Sequence, residues 1–420
     1  MNADSLIFAK WIIPVVPDDK VYENHALVVN DGRILDILPA EQATARYQAS
    51  EIHQLDSHVL IPGLINTHTH AAMSLFKGLA DDLPLMEWLN NHIWPAESRW
   101  VDARFVEDGT RLAVAEMIRG GTTCFNDMYF FPDRTAEVAI ETGIRASIGL
   151  IVIDFPTAWA KDSQEYFDKG EQVHDKFRHN PLIRTTFAPH APYTVSDQPL
   201  KKIAVLAEEM DIPVHMHVHE NAHEVSQGIE QHGVTPLQRL ADIGLLSQRM
   251  LAVHMTQLDE AAIELVARYN VNVIHCPESN MKLASGFSPV HALQQAGVNV
   301  ALGTDGAASN NDLDMLGEMR TAAFIGKGIS GNSSALSAMT VLKMATINAA
   351  RSLDMDKITG SLEKGKEADM VAIDLDWLET QPLYDPVSQI IYAASRNQVT
   401  DVWVAGRQLL KQRELLTMDE

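Results

Sequence analysis

The segment Leu60-Ile61-Pro62-Gly63-Leu64-Ile65-Asn66-Thr67-His68-Thr69-His70 carries an apolar run straight into a polar cluster. A strand-length apolar run that ends in histidines reads as a buried strand with chemistry at its C-terminal end. His68 and His70 are two apart, so on a strand they face one side and can hold one metal together. A lone buried histidine is usually a hydrogen-bonded core residue, and two imidazoles on one face are harder to explain in that way.

The same arrangement recurs downstream. Strand-like runs at 122–126, 146–153, 183–187, 214–218, 250–254, 271–275 and 298–302 alternate with helix-length amphipathic segments. Those segments include 104–119, 134–142, 198–210, 236–243, 259–269 and 289–295. With Leu64-Ile65 as the first strand, repeated βα units of this number predict an α/β chain closed into a (β/α)8 TIM barrel. An open doubly wound sheet is the alternative, but its Gly-rich dinucleotide turn is absent.

Both ends of the chain read differently from this middle. Ala26–Asn30 and Arg33–Leu38 flank Asp31-Gly32, a hairpin signal. Asp369–Asp374 and Asp401–Ala405 repeat that style near the C-terminus. The expectation is a small β-sandwich domain formed by both termini, residues 1–62 with 361–420, around a barrel domain spanning 63–360.

Composition narrows the partners. The chain has 420 residues, 46% hydrophobic and 21% charged, which suits a large globular core. Lys+Arg 33 against Asp+Glu 56 gives a net charge of −23. That charge repels phosphate backbones and anionic lipid, so neither nucleic acid nor membrane is expected as a partner. Cys124 and Cys276 are too few for a disulfide framework or a thiolate zinc site. Met1-Asn2-Ala3-Asp4 does not open a signal peptide and no apolar run is of bilayer length, so a cytoplasmic protein is expected. Histidine, at 17 residues, is the unusual count.

Reactive side chains of a (β/α)8 barrel belong at the C-terminal ends of its strands. His215-Met216-His217-Val218-His219-Glu220 places three histidines on one face, and their spacing does not choose among them. A carboxylate that works on water must sit just beyond the ligand. The His-x-x-Glu reading that ends at Glu220 starts at His217, with His215 deeper and His219 outside. His254 ends the next strand and Asp305, before Gly306, ends the last. An Asp before Gly is by itself usually a turn former. Jointly, His68, His70, His217 and Asp305 make a nitrogen and oxygen shell that leaves a position open for water, as catalytic zinc requires. Glu220 and His254 remain as acid/base groups, with Asp305 also able to take a proton.

These residues resemble the amidohydrolase superfamily. Pro62–His70 looks like its first-strand motif, and Gly360–Asp374 is similar to the segment that returns the chain to the sandwich. Two-metal members carry a carboxylated lysine at the fourth strand. Here that strand ends Phe187-Ala188-Pro189-His190, so the resemblance implies one divalent metal per subunit, zinc by default. Trp94–Glu97, Ala188–Tyr193 and His275–Gly286 resemble the 5-methylthioadenosine/S-adenosylhomocysteine deaminases. That resemblance implies that Glu97 binds a ribose diol, that His190 contacts the substrate together with Glu220, and that the chain forms a homo-oligomer.

The implied reaction is hydrolytic deamination at C6 of an adenine ring in a small-molecule nucleoside, with Glu220, His254 and Asp305 as the catalytic groups. Another ring deaminase (of guanine, cytosine or an oxidised purine) or an amide or chloride hydrolase of the superfamily could share the same shell. A non-catalytic nucleoside-binding protein would not need Glu220 and Asp305. Family members that take S-adenosylhomocysteine are expected to pair its carboxylate with arginine near the third strand. Ala146–Ala160 contains no Arg or Lys, and Arg145 opens the strand, pointing away from the mouth. Leu150, Phe155 and Trp159 are expected to line an apolar pocket for a methylthio group, which makes 5′-methylthioadenosine the expected substrate.

Overall fold

The computed structural model describes residues 1–420. Its strands form two separate sheets of eight. The first takes β1 (Asn2–Ile12), β2 (Tyr22–Asn30), β3 (Arg33–Pro39) and β4 (Gln48–Pro62) from the N-terminal end. The second runs through β5 (Leu64–Thr69), β6 (Thr122–Asp127), β7 (Arg145–Val152), β8 (Ile183–Pro189), β9 (Val214–Val218), β10 (Met250–His254), β11 (Asn272–His275) and β12 (Val300–Leu302). The chain then returns to the first sheet with β13 (Met370–Asp374), β14 (Val399–Val404), β15 (Arg407–Lys411) and β16 (Glu414–Leu415).

The terminal sheet has the order β16-β15-β14-β13-β4-β1-β2-β3, so the two chain ends meet where β13 pairs antiparallel with β4. Ile7, Leu27, Ile34, Leu60, Met370 and Trp403 share one buried cluster, drawn from strands of both ends. Asp31 and Gly32, at φ 51° and 70°, turn β2 into β3, the backbone that a two-residue hairpin of matching twist needs.

In the second sheet every strand pairs parallel with its sequence neighbour, from β5 to β12. Apart from Arg184, all residues of these strands are buried, as expected for parallel strands covered on both faces. Closure is carried by the Asp305 N–H donating to the His68 carbonyl at 3.0 Å and Thr67 Oγ1 donating to the Leu302 carbonyl at 2.6 Å. Ile65, Cys124, Leu251, Val253, Ile274 and Ala301 fill the interior below the polar strand ends. Burial there pushes the Cys124 thiol up to about 12, which makes it a packing residue and not a nucleophile.

Helices start where the sequence supplies caps. Asp102 accepts from the Phe105 N–H to open helix Ala103–Arg119, and Asp259 accepts from the Ala262 N–H to open Glu260–Arg268. The first crossover is not one helix. Before the long helix Ala103–Arg119 it holds a run of short ones (Ala71–Phe76, Leu85–Trp88, Leu89–Ile93 and Trp94–Trp100) that contributes Leu85, Trp88, Trp94 and Glu97 to the walls of the barrel mouth. At the opposite end, Arg145 opens β7 and bonds both oxygens of Asp369, at 3.0 and 3.1 Å, and Glu367 at 2.6 Å. No helix is long and apolar enough to cross a membrane.

Candidate active site and metal centre

Four side chains from three strand ends converge above the barrel interior. His68 lies on β5, His70 just after it, His217 on β9 and Asp305 just after β12; one donor atom from each lies within 4.8 Å of the others. His217 Nε2 is 3.2 Å from His68 Nε2 and 3.3 Å from His70 Nε2. Asp305 Oδ1 is 3.2 Å from His68 Nε2 and 3.3 Å from His70 Nε2. Donors about 2.0–2.1 Å from one zinc stand about 3–3.5 Å from their nearest neighbours, so these spacings and donor types fit a zinc-sized divalent cation.

The ring nitrogens facing away from the centre are pinned. His70 Nδ1 donates to the Met128 carbonyl at 2.6 Å and His217 Nδ1 to the His190 carbonyl at 2.8 Å, which turns both Nε2 lone pairs inward. His68 Nδ1 meets His215 Nε2 at 2.9 Å. Burial lowers His68 to about 4 and holds His217 well below the usual imidazole range, so both favour the neutral form a ligand needs. Burial opposes charge on Asp305 too, but its hydrogen bonds with His68 and His70 prevail and keep it a carboxylate. Ser279 Oγ and Ser309 Oγ donate to its other oxygen, at 2.6 and 3.0 Å.

Of the three period-two histidines, His217 faces the centre and His215 stands behind His68. His219 is turned away: at φ 52° it leaves the strand, bonding the Gln257 carbonyl and the Leu237 N–H at 2.8 and 3.1 Å.

Glu220 follows β9 and is buried at the edge of the centre, where burial, then the Asp305 charge, raises its carboxyl to about 8. Its Oε1 is 3.9 Å from His254 Nε2, and His254 Nδ1 is 2.8 Å from Asn280 Oδ1. The Glu220 backbone is clamped by Glu224 Oε2, which accepts its N–H at 2.7 Å, and by Thr256 Oγ1, which donates to its carbonyl at 2.6 Å.

A cavity of about 260 Å³ opens over this centre. His70, His217, Asp305, Glu220, His254, His190 and Glu97 all line it, so of the metal-binding, acid/base and sugar-binding residues singled out in the sequence only the fully buried His68 does not reach its wall. His190, lowered to about 3 by burial and the neighbouring His70, bonds Thr194 Oγ1 at 3.1 Å. Glu97 is half-buried, and burial raises it to about 7. None of the 28 lining residues is Lys or Arg.

The apolar wall differs in part from expectation. Phe155 lines the cavity, but Leu150 and Trp159 do not. Side chains alternate along β7, so Leu150 faces outward against Gly170 of helix Ser163–Phe177 while Ile151 points into the cavity. Trp159 packs 5.1 Å from the Phe131 ring and under Lys169 Nζ. Trp88, Trp94, Phe130, Ile151 and Ile153 supply the apolar surface instead. Lys161 is exposed and does not line the cavity.

Sequence reasoning did not find Tyr129, Glu224, Asn280 or Ser279. Each acts on a site residue through a hydrogen bond from a different element or the following helix, and none stands in a spacing that marks it. Ser279 and Asn280 did lie within a stretch noted for its family resemblance.

Residues 59–409 match the amidohydrolase family, and the chain belongs to it and is an enzyme. Within that family it is similar over nearly its whole length to named deaminases. A 5-methylthioadenosine/S-adenosylhomocysteine deaminase of Saccharophagus degradans is 54% identical, with 99% of this chain and 94% of the relative covered. A 5'-deoxyadenosine deaminase of Methanothermobacter thermautotrophicus is 42% identical, with 97% and 94% covered. The crystal structure of an adenosine deaminase from Xanthomonas campestris with bound zinc superposes with a TM-score of 0.99 at 52% identity, covering 100% of this chain and 95% of that one.

Proposed function

We propose that this enzyme hydrolytically deaminates adenosine derivatives at C6, with 5'-methylthioadenosine as preferred substrate, adenosine weaker and S-adenosylhomocysteine poor. The observation that carries the reading is one cavity with a four-ligand centre and Glu220 at its floor, Glu97 on its wall, and no Lys or Arg anywhere in its lining. Buried polar and apolar complementarity of this kind discriminates substrates by what it leaves unpaired. The S-adenosylhomocysteine carboxylate would lose water there without gaining a cationic partner, a cost of several kcal/mol.

His68, His70, His217 and Asp305 would hold one divalent cation per subunit. Zinc is our assignment, supported by the zinc in the Xanthomonas structure; iron, manganese and nickel suit the same donors. When bound, such a cation supplies Lewis acidity that makes water a nucleophile near neutral pH.

The protein groups then divide the proton traffic. Glu220, buried at the edge of the centre, takes a proton from the attacking water in its ionised form and returns it to the ring nitrogen. The water oxygen bonds to C6, and His254, beside Glu220, hydrogen-bonds that oxygen. Asp305 takes the second proton and passes it to the departing amine, so the C6–N bond breaks with release of ammonia and the inosine derivative. Glu97 accepts from the ribose diol and His190 contacts the substrate, which favours a nucleoside over a free base.

We assign catalysis to residues 63–360 and support to a domain of residues 1–62 with 361–420, in a cytoplasmic homo-oligomer that binds neither nucleic acid nor membrane. Metal analysis combined with ammonia release from the three nucleosides tests the function. Tight metal binding with no ammonia from any of them overturns it.

A further inference from the structure

Glu97 is the one carboxylate of the cavity that stands apart from the metal centre, and its protein partners are few. Its Oε1 accepts from Tyr129 Oη at 2.8 Å; no other side chain and no backbone N–H donates to the carboxylate, and it forms no ion pair. Tyr129 follows β6, whereas Glu97 rides on the short helix Trp94–Trp100 of the first crossover, so the bond ties that crossover to the rigid barrel rim. Tyr129 is 4% exposed, and burial, then the neighbouring Glu97 charge, holds its hydroxyl well above the usual phenol range. It is therefore a donor throughout the working pH range, and its single proton is committed to Glu97.

We propose that Tyr129 is the positioning residue for riboside recognition: by holding Glu97 Oε1 it fixes the carboxylate so that the free Oε2 meets the vicinal diol of the substrate. The inference rests on the reading of Glu97 as the diol acceptor and adds what orients it. A glutamate on a short helix has three side-chain torsions to lose, and a partner that fixes them beforehand lowers the cost of binding. The bond is charge-assisted when Glu97 is ionised, so its removal is felt mainly by ligands that use Glu97. The diol lies away from C6, so the effect falls on KM and not on kcat.

The test is a cycle of Y129F, E97Q and the double variant. KM and kcat are measured on 5'-methylthioadenosine and on its 2',3'-dideoxy analogue, with Tm as a folding control. In Y129F the KM for the riboside is expected to rise about tenfold, with kcat little changed and the dideoxy analogue nearly unaffected. In the E97Q background, Y129F is expected to add little. Equal KM increases on both nucleosides, or the same increase whether or not Glu97 is present, overturns the proposal and leaves the Glu97 assignment standing. If E97Q itself treats riboside and dideoxy analogue alike, the diol assignment fails and the role of Tyr129 falls with it. If the wild-type enzyme deaminates neither, the proposed function fails first, and this inference goes with it.

Discussion

Asp305 and His68 meet twice. The Asp305 N–H donates to the His68 carbonyl at 3.0 Å, and Asp305 Oδ1 lies 3.2 Å from His68 Nε2. One contact closes the barrel and the other builds the metal centre, so the fold and the site share a seam. Gly303 makes this approach possible: a Cβ there would stand 2.7 Å from the His68 backbone nitrogen. G303A is expected to push β12 from β5, cost about 1–3 kcal/mol of stability and weaken metal binding together. Thermal unfolding with a chelator competition assay checks both, and loss of stability with unchanged metal affinity would separate the seam from the site.

Alanine in place of His68, His70, His217 or Asp305 is expected to lower bound zinc and abolish deamination, since each removes one converging donor. Metal content by mass spectrometry decides each residue separately. A variant that retains full zinc and full activity removes that residue from the shell.

Glu220→Gln separates chemistry from binding. The amide cannot accept the water proton, whereas the ligands 3.2–3.3 Å apart around His217 are untouched. Metal content and substrate affinity should persist while kcat falls about 10²–10⁴-fold. Near wild-type turnover at the pH optimum rules out the proton transfer assigned to Glu220.

Riboside selectivity should depend on pH through Glu97. Burial is the main cause of its rise to about 7, with the Tyr129 hydrogen bond opposing it. Above pH 7 the carboxyl is ionised and accepts from the diol; below, it carries a proton and accepts less well. The kcat/KM ratio of riboside to dideoxy analogue should therefore rise between about pH 6 and 8. Glu220 ionises in the enzyme used for both substrates and cancels in the ratio. E97Q should flatten the profile; an unchanged slope in that variant would assign the titration to another group.

The 5' pocket should answer to a single charge. Wild-type enzyme is expected to prefer 5'-methylthioadenosine over S-adenosylhomocysteine in kcat/KM, because Trp88, Trp94, Ile153 and Phe155 line the cavity without a Lys or Arg beside them. F155R is expected to narrow that preference by supplying a partner for the amino-acid carboxylate. A wild-type preference for S-adenosylhomocysteine contradicts the apolar-pocket argument while leaving deamination intact.

Local pattern carried much of this protein. Alternating buried strands and capped amphipathic helices specify the barrel, because parallel strands covered on both faces must be apolar throughout until they reach the mouth. Polar residues at those ends, His68, His70, His217, His254 and Asp305, then stand out against the apolar background. Glu220 pointed to His217 because a proton acceptor beside the centre must follow its ligand closely in the chain.

What lay beyond the sequence depends on contacts between distant elements. Period-two spacing allowed His215, His217 and His219 one common face, and only the left-handed backbone at His219 turns the last one out. The choice between Leu150 and Ile151 as pocket wall rests on the register of β7 against its neighbours, since one residue of shift exchanges the two faces of a strand. The Tyr129–Glu97 bond joins two crossover segments whose separation in the chain gives no periodic signal. Sequence fixes what each segment prefers to bury; which side chains then meet across the barrel mouth is decided by closure of the sheet, because closure alone sets the distances between strand ends.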